Sequence, residues 1–338
     1  MFNLRHSCLI LLLAALNTAV ALPKVQYWTD PAQSGWLLAA CEAEGAVRLT
    51  LTAPDGDTVL DWIGTSASPG TPTQLHALDD PELPVSAWWS RPGALEDLLQ
   101  ANANAPITAA WTVDGDTAQL AQPDNPAAGI AAPPQAFARL AAATPLDTLD
   151  PRVEATGLSF QPNQPTLPIA LLNLRFQQIH LDYDRRMRTR EADDPGLAEA
   201  PAHMVHELRL LQASPDRYTA LVITKAKRRF ASTSISLETL HLQRQPDESW
   251  EFYDPLAAIT DPTAFREAIR KALNAQDADG DFFAEQHPNP LAAKSRTAYL
   301  PLQIGSKLLL VFEPYVVAPA AFGTITIGID LESPTPPL

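Results

Sequence analysis

The sequence predicts an α+β protein, in which a β-rich N-terminal domain is followed by an antiparallel sheet with packed helices. Three observations carry that expectation. In the first half, apolar and polar residues alternate around Asp-Gly pairs: "VRLTL" and "VLDWI" flank "TAPDGDT" (Thr52 to Thr58), and "ITAAW" and "AQLAQ" flank "TVDGDT" (Thr112 to Thr117). Alternation with period two marks half-buried strands, and Asp-Gly favours tight hairpins. In the second half, Leu172, Phe176, Ile179, Tyr183 and Met187 recur at helical intervals, and strand-like runs follow them. Finally, composition shifts along the chain: six of the seven tryptophans lie between Trp28 and Trp111, whereas five of the six lysines come from Lys225 onward. Two units are the natural expectation for 338 residues.

At the N-terminus, Arg5 and His6 precede the apolar run "CLILLLAAL" (Cys8 to Leu16) and the small residues "AVA" (Ala19 to Ala21). Charge, apolar length and small residues in that order read as a secretory signal over residues 1–21, with cleavage expected after Ala21. The run is too short to span a bilayer, so a periplasmic or secreted protein without a membrane span is expected. "LLAAC" (Leu37 to Cys41) also resembles a lipoprotein processing site, but the polar stretch before it does not suit the end of an apolar signal helix. Cys8 leaves with the signal. Cys41 then has no intramolecular partner and is expected to be a buried thiol.

Residues 22–120 form the expected acidic β-rich domain. From Leu22 to Pro165 the chain carries seventeen acids against five bases, and thereafter twenty-two against eighteen, within a net charge of −15. Such a field disfavours nucleic acid and favours cationic partners. Trp88 and Trp89 in "SAWWSRPG" offer aromatic faces on which a sugar ring could stack; neighbouring strand residues face opposite ways, so at least one belongs to the core. Residues 121–166 are expected as a Pro/Ala-rich linker, since nine prolines between Ala121 and Pro168 remove donors from any sheet. Within it "PQAFARLAAAT" is read as a short helix.

From residue 167 the order is a helix over "LLNLRFQQIHLDYDRRM", a meander of "VHELRLLQA", "RYTALVITKAKRRF" and "STSISLETLHLQ", and a helix begun by Asp261 and Pro262 with Phe265, Ala268, Ile269, Ala272 and Leu273 on one face. "AYLPLQI" and "KLLLVFE" make a hairpin with Gly305 first in its turn, "TITIGIDL" a further strand, and residues 332–338 a disordered tail. Within the meander, Lys225, Lys227, Arg228 and Arg229 are the densest basic run, read as a solvated sheet edge or as a grip on anionic cell-wall polymer.

Pro314 ends regular pairing after Glu313, Tyr315 projects from the bend, and Gly323 permits the next strand to begin. "LVFEPYVVAPAAFG" resembles the aromatic-x-Pro-Tyr and Ala-Pro-x-x-aromatic-Gly signature of the C-terminal domain of RsiV-type anti-sigma factors, which also occurs in secreted peptidoglycan deacetylases of the PdaC type. Phe312, Pro314, Tyr315, Ala318, Pro319, Phe322 and Gly323 carry the match, and "WEFYDPLAAITDPTAFREAIRKAL" resembles the preceding strand, turn and helix. The likeness covers roughly Leu167 to Leu331, making 167–331 an RsiV-like domain, and Val316 departs from it where an acidic residue is often seen. The resemblance implies an extracytoplasmic domain that binds rather than catalyses, with a lysozyme-like cationic protein or peptidoglycan fragments as ligand. The sigma-binding segment and the metal-dependent deacetylase domain have no counterpart here.

Catalytic constellations are few. "HMVHEL" would gather His203, His206 and Glu207 on one helix face for zinc, but a strand sends His206 away from the other two. "DADGDFF" (Asp277 to Phe283) begins like a calcium loop, then has Phe282 for the required glycine and Pro288 for the bidentate glutamate. Gly-x-Ser-x-Gly and P-loop patterns are absent from the sequence. No cofactor is expected. The expected function is that of a non-enzymatic envelope binding protein; a cell-wall hydrolase and a structural envelope component are the alternatives.

Overall fold

Alternation along the first strands decides the architecture. In "AVRLTLT" (Ala46–Thr52), Val47, Leu49 and Leu51 point to one side and Arg48, Thr50 and Thr52 to the other, and every residue is buried. A strand buried on both faces needs a layer on each. A computed structural model describes residues 24–32, 34–43, 45–55, 59–78, 94–121, 134–148, 152–160, 166–193, 203–227, 234–276, 299–312 and 325–330. In it, β1 (Lys24–Thr29), β2 (Leu37–Ala43), β3 (Ala46–Thr52), β4 (Val59–Thr65), β5 (Thr73–Ala77), β6 (Ile107–Asp114), β7 (Thr117–Ala121) and β8 (Ala136–Leu146) pair antiparallel in sequence order, and β8 returns to β1. The result is a closed eight-stranded barrel.

The tryptophan-rich composition now has a physical reason. A barrel of this strand number has an interior just wide enough to be filled by side chains. Trp28, Trp36, Trp62 and Trp111 fill it together with Leu38, Leu49, Leu51, Leu75, Leu120 and Phe137. Trp28 meets Trp111 edge-on with ring centroids 5.6 Å apart, and Trp111 meets Phe137 at 6.1 Å. Outside the barrel, α1 (Ala94–Ala101) packs on β2, β3 and β4. Beside it Arg48 donates through Nε to Asp61 Oδ1 at 2.8 Å, and the Thr50 hydroxyl donates to the same oxygen at 3.1 Å. The β6–β7 hairpin closes at Asp114 and Thr117, and Gly115 adopts φ +60°, as the Asp-Gly pair anticipates.

β8 leaves the barrel and continues as one wall of a second layer. Its later residues pair with β9 (Val153–Phe160), which runs parallel to β10 (His203–Ala213). A parallel pair needs a crossover, and α2 (Thr166–Asp193) supplies it. β11 (Arg217–Lys227), β12 (Ser234–Arg244) and the short β13 (Trp250–Phe252) follow antiparallel, as the meander predicts. Ile169, Leu172, Phe176 and Ile179 of α2 bury against Leu208, Leu210, Val222 and Leu240. The opposite face meets a second sheet of β14 (Leu300–Ile304), β15 (Lys307–Phe312) and β16 (Ile325–Asp330) through Leu211, Leu221, Ile223, Leu302, Ile304 and Leu309. That sheet packs its outer side on α3 (Pro262–Gln276), whose cap is Asp261, accepting from the main-chain N–H of Thr263 and Ala264 at 2.9 and 3.0 Å.

The predicted class is corrected by this architecture. Strands account for 56% of the structure and helices for 21%, and the closed antiparallel barrel with extra strands replaces the α+β arrangement of an antiparallel sheet with packed helices. "PQAFARLAAAT" is the strand β8 and not a helix, because β1 and β7 both present edges that it satisfies. The stretch read as a linker thus contributes two strands, β8 and β9. Among the described residues, no helix is long and apolar enough to cross a membrane.

Gly305 opens the two-residue β14–β15 turn with φ +59°, and a Cβ there would meet the carbonyl oxygens of Pro54 and Asp55 at the end of β3. Gly305→Ala is expected to cost about 1–3 kcal/mol through that overlap and the left-handed backbone. Gly115→Ala, with φ +60° but open space, is expected to cost less. Thermal melts of the two variants check the order; equal losses would remove the contact with Pro54 and Asp55 from the explanation.

Candidate functional site

Two polar arrangements stand out. The first lies on β10, which has neighbours on both edges and layers on both faces. Glu207 and Arg209 sit on the face opposite α2, only 8% and 3% exposed. Arg209 Nε donates to Glu207 Oε2 at 3.0 Å, and Lys225 Nζ donates to Oε1 at 3.3 Å. Burial pushes the Glu207 carboxyl up, but Arg209 and Lys225 outweigh it and hold the group below the usual carboxylate range. Cys41 of β2 lies close enough to feel both charges, yet burial dominates and pushes its thiol up to about 12. Such a thiol stays protonated and is a poor nucleophile. This cluster is an internal ion network.

On the other face of β10, His206 is enclosed by α2. Its ring lies 5.2 Å from that of His180 and 5.3 Å from that of Tyr183, and its Nδ1 is 3.0 Å from the Thr224 hydroxyl. Burial, then the neighbouring His180, lower its pKa to about 4. His203 lies at the start of the strand with Nε2 3.6 Å from Glu154 Oε1. The strand therefore separates His206 from His203 and Glu207, and "HMVHEL" does not converge.

The second arrangement opens to solvent. A cleft of about 390 Å³ lies between α2 and the β12–β13 margin, lined by Leu171, Leu174, Arg175, Gln178, Glu238 and Phe252 among others. Leu171 and Leu174 supply the apolar part of its wall, and Leu174 belongs to a second leucine row on the helix. Leu167, Leu174 and Leu181 recur every seven residues and remain 55%, 55% and 44% exposed, on the side away from Ile169, Leu172 and Phe176. Phe252 adds a further exposed ring at 45%. Glu238 is the acid of the cleft. Burial raises its pKa, while Arg175 acts in the opposite direction.

Behind these residues the floor is fixed by hydrogen bonds to the second sheet. Thr239 Oγ1 donates to Pro301 O at 2.9 Å, Gln303 N donates to His241 Nε2 at 3.1 Å, and Tyr253 Oη donates to Gln303 Oε1 at 3.2 Å. His241 is thus held neutral as an acceptor; burial lowers its pKa to about 4 despite the opposing charge of Asp254. The arrangement has an apolar wall, an acid–base pair and a rigid floor, which suits gripping a ligand.

The residues singled out by sequence fall elsewhere. Phe312 ends β15, is fully buried and meets Tyr299 edge-on at 5.7 Å. Pro314, Tyr315, Ala318, Pro319, Phe322 and Gly323 lie outside the described residues, as do Trp88, Trp89, Arg228, Arg229 and the "DADGDFF" segment. Lys225 is the internal partner of Glu207, and Lys227 ends β11 opposite His203. Sequence reasoning missed Arg175, Glu238 and Phe252. The available signal was the second leucine row of α2, which makes the helix apolar on two sides. No protein-family model matches the chain, and no match is found among curated proteins.

Proposed function

We propose that the protein is an exported, non-enzymatic binding protein of the cell envelope, and that the cleft between α2 and the β12–β13 margin receives a cationic protein of the lysozyme class. The cleft itself is the observation that carries this reading. Leu171, Leu174 and Phe252 offer apolar contact, while Glu238 provides negative charge. The net charge of −15 favours encounter with such a partner, the N-terminal residues support export, and the resemblance at Phe312 to Gly323 supports binding over catalysis. The groups of the floor are already committed to one another, which suits a rigid recognition surface better than proton transfer.

Calorimetric titration of the mature chain with lysozyme tests the proposal, with solubilised peptidoglycan as the comparison. Binding that weakens with salt is expected for lysozyme. Glu238→Gln is expected to weaken it about tenfold or more, because a hydrogen bond to a charged group is worth about 1.5–3 kcal/mol. Absence of lysozyme binding, or binding that Glu238→Gln leaves untouched, would overturn the assignment of the cleft to this partner.

A further inference from the structure

One wall of the cleft is a strand edge that, among the described residues, lacks a neighbour along most of its length. Arg244 N donates to Asp216 O beside β11, whereas Tyr253 N donates to His241 O on the other side. Main-chain groups alternate in direction along a strand, so Ser236, Glu238 and Leu240 turn theirs toward β11, and Ile235, Leu237 and Thr239 turn theirs outward. β13 pairs only with Leu242, Gln243 and Arg244. Among the described residues, none pairs with the outward main-chain groups of Ile235, Leu237 and Thr239. A strand edge without a neighbour is a template for another strand.

The cleft beside it is shaped for the side chains such a strand would bring. Glu238 and Leu240 belong to the face of β12 that looks toward α2, where Leu171, Leu174 and Arg175 form the opposite wall and Phe252 also lines the cleft. We infer that the β12 edge is completed by an extended segment of a partner protein, added antiparallel in line with β13, with an apolar side chain against Leu174 and Phe252 and a basic one against Glu238. The free row from Ile235 to Thr239 accommodates about five residues at roughly 3.4 Å each. Main-chain hydrogen bonds then provide affinity and alternate side chains provide selectivity. Glu238 is the acid among the cleft's described lining residues, and the net charge of −15 favours a basic segment as its occupant. This inference rests on the reading of the cleft as the binding site.

The test uses the mature full chain and a capped peptide, Lys-Val-Lys-Leu-Lys-Val-Lys, alongside lysozyme. Amide hydrogen exchange at Ile235, Leu237 and Thr239 is expected to slow at least about tenfold when the peptide binds, since these amides gain partners. Two N-methylated versions of the peptide, blocked on complementary alternate amides, should behave oppositely: one retains binding and the other loses about tenfold or more. Peptide binding with unchanged exchange at these amides, or equal binding of both methylated forms, would overturn strand addition while leaving the cationic-partner reading intact. Lysozyme binding without peptide binding would do the same. If neither binds, both readings fall. Protection that grows with protein concentration in the absence of peptide would assign the edge to a second copy of the chain and overturn the partner named here.

Discussion

Arg209→Leu is expected to destabilise the protein by about 3–5 kcal/mol, because it leaves Glu207 as a buried charge without its principal partner. Glu207 accepts from Arg209 and Lys225, and Lys225 is too short of hydrogen-bonding geometry to replace a guanidinium that engages through two nitrogens. The triple variant Glu207→Leu, Arg209→Leu and Lys225→Met should recover much of the loss, since it removes all three charges of the network and leaves no buried ion unpaired. Urea melts of the single and triple variants decide the matter. A single variant less than about 1 kcal/mol below the parent would show that the network contributes little.

Acid is expected to have a comparable effect. His206 and His241 both have folded pKa values lowered to about 4, against an ordinary value of 6.5. Their neutral forms are the ones the fold accommodates, so the unfolded chain binds protons first as the solution is acidified. Stability is therefore full above pH 6.5, declines as the pH falls toward 4, and stops declining on this account below it. Each histidine contributes on the order of 3 kcal/mol to the loss. Glu207 belongs to a different window: its lowered pKa contributes stability that disappears only as pH falls through and below the usual carboxylate range. Urea melts from pH 7 to pH 4 check the first window, and His206→Leu should flatten part of the slope. A flat profile in the parent would rule out buried neutral histidines.

Local features were legible in the sequence because local chemistry decides them. Gly115 and Gly305 stand where left-handed backbone closes two-residue turns, Asp261 caps α3, and the helical spacing from Leu172 to Tyr183 does mark a helix. The barrel was not legible, because its closure is a meeting of Gln26 with Ala142 and of Tyr27 with Ala141 that no local window contains. β8 illustrates the conflict: its alanines favour a helix, but Phe137 fills the barrel and Leu140 packs outside it, and two waiting edges override propensity. The cleft was hidden for the same reason. Arg175 and Glu238 approach only after α2 has crossed the sheet, and neither residue is unusual in its own neighbourhood.

The pairing of β1 with β8 also sets an order in time. A chain that emerges from its N-terminus exposes β1 long before Ala142 exists to receive it, so seven strands must wait with one lateral edge of β1 unfilled. Closing so long a loop delays the reward of the contact and slows folding. The last strand to complete the cylinder is also the first of the outer sheet, and the turn at Gly305 then docks against the end of β3. Until β8 is in place the barrel lacks its closing strand, and the tryptophan interior stays open on that side.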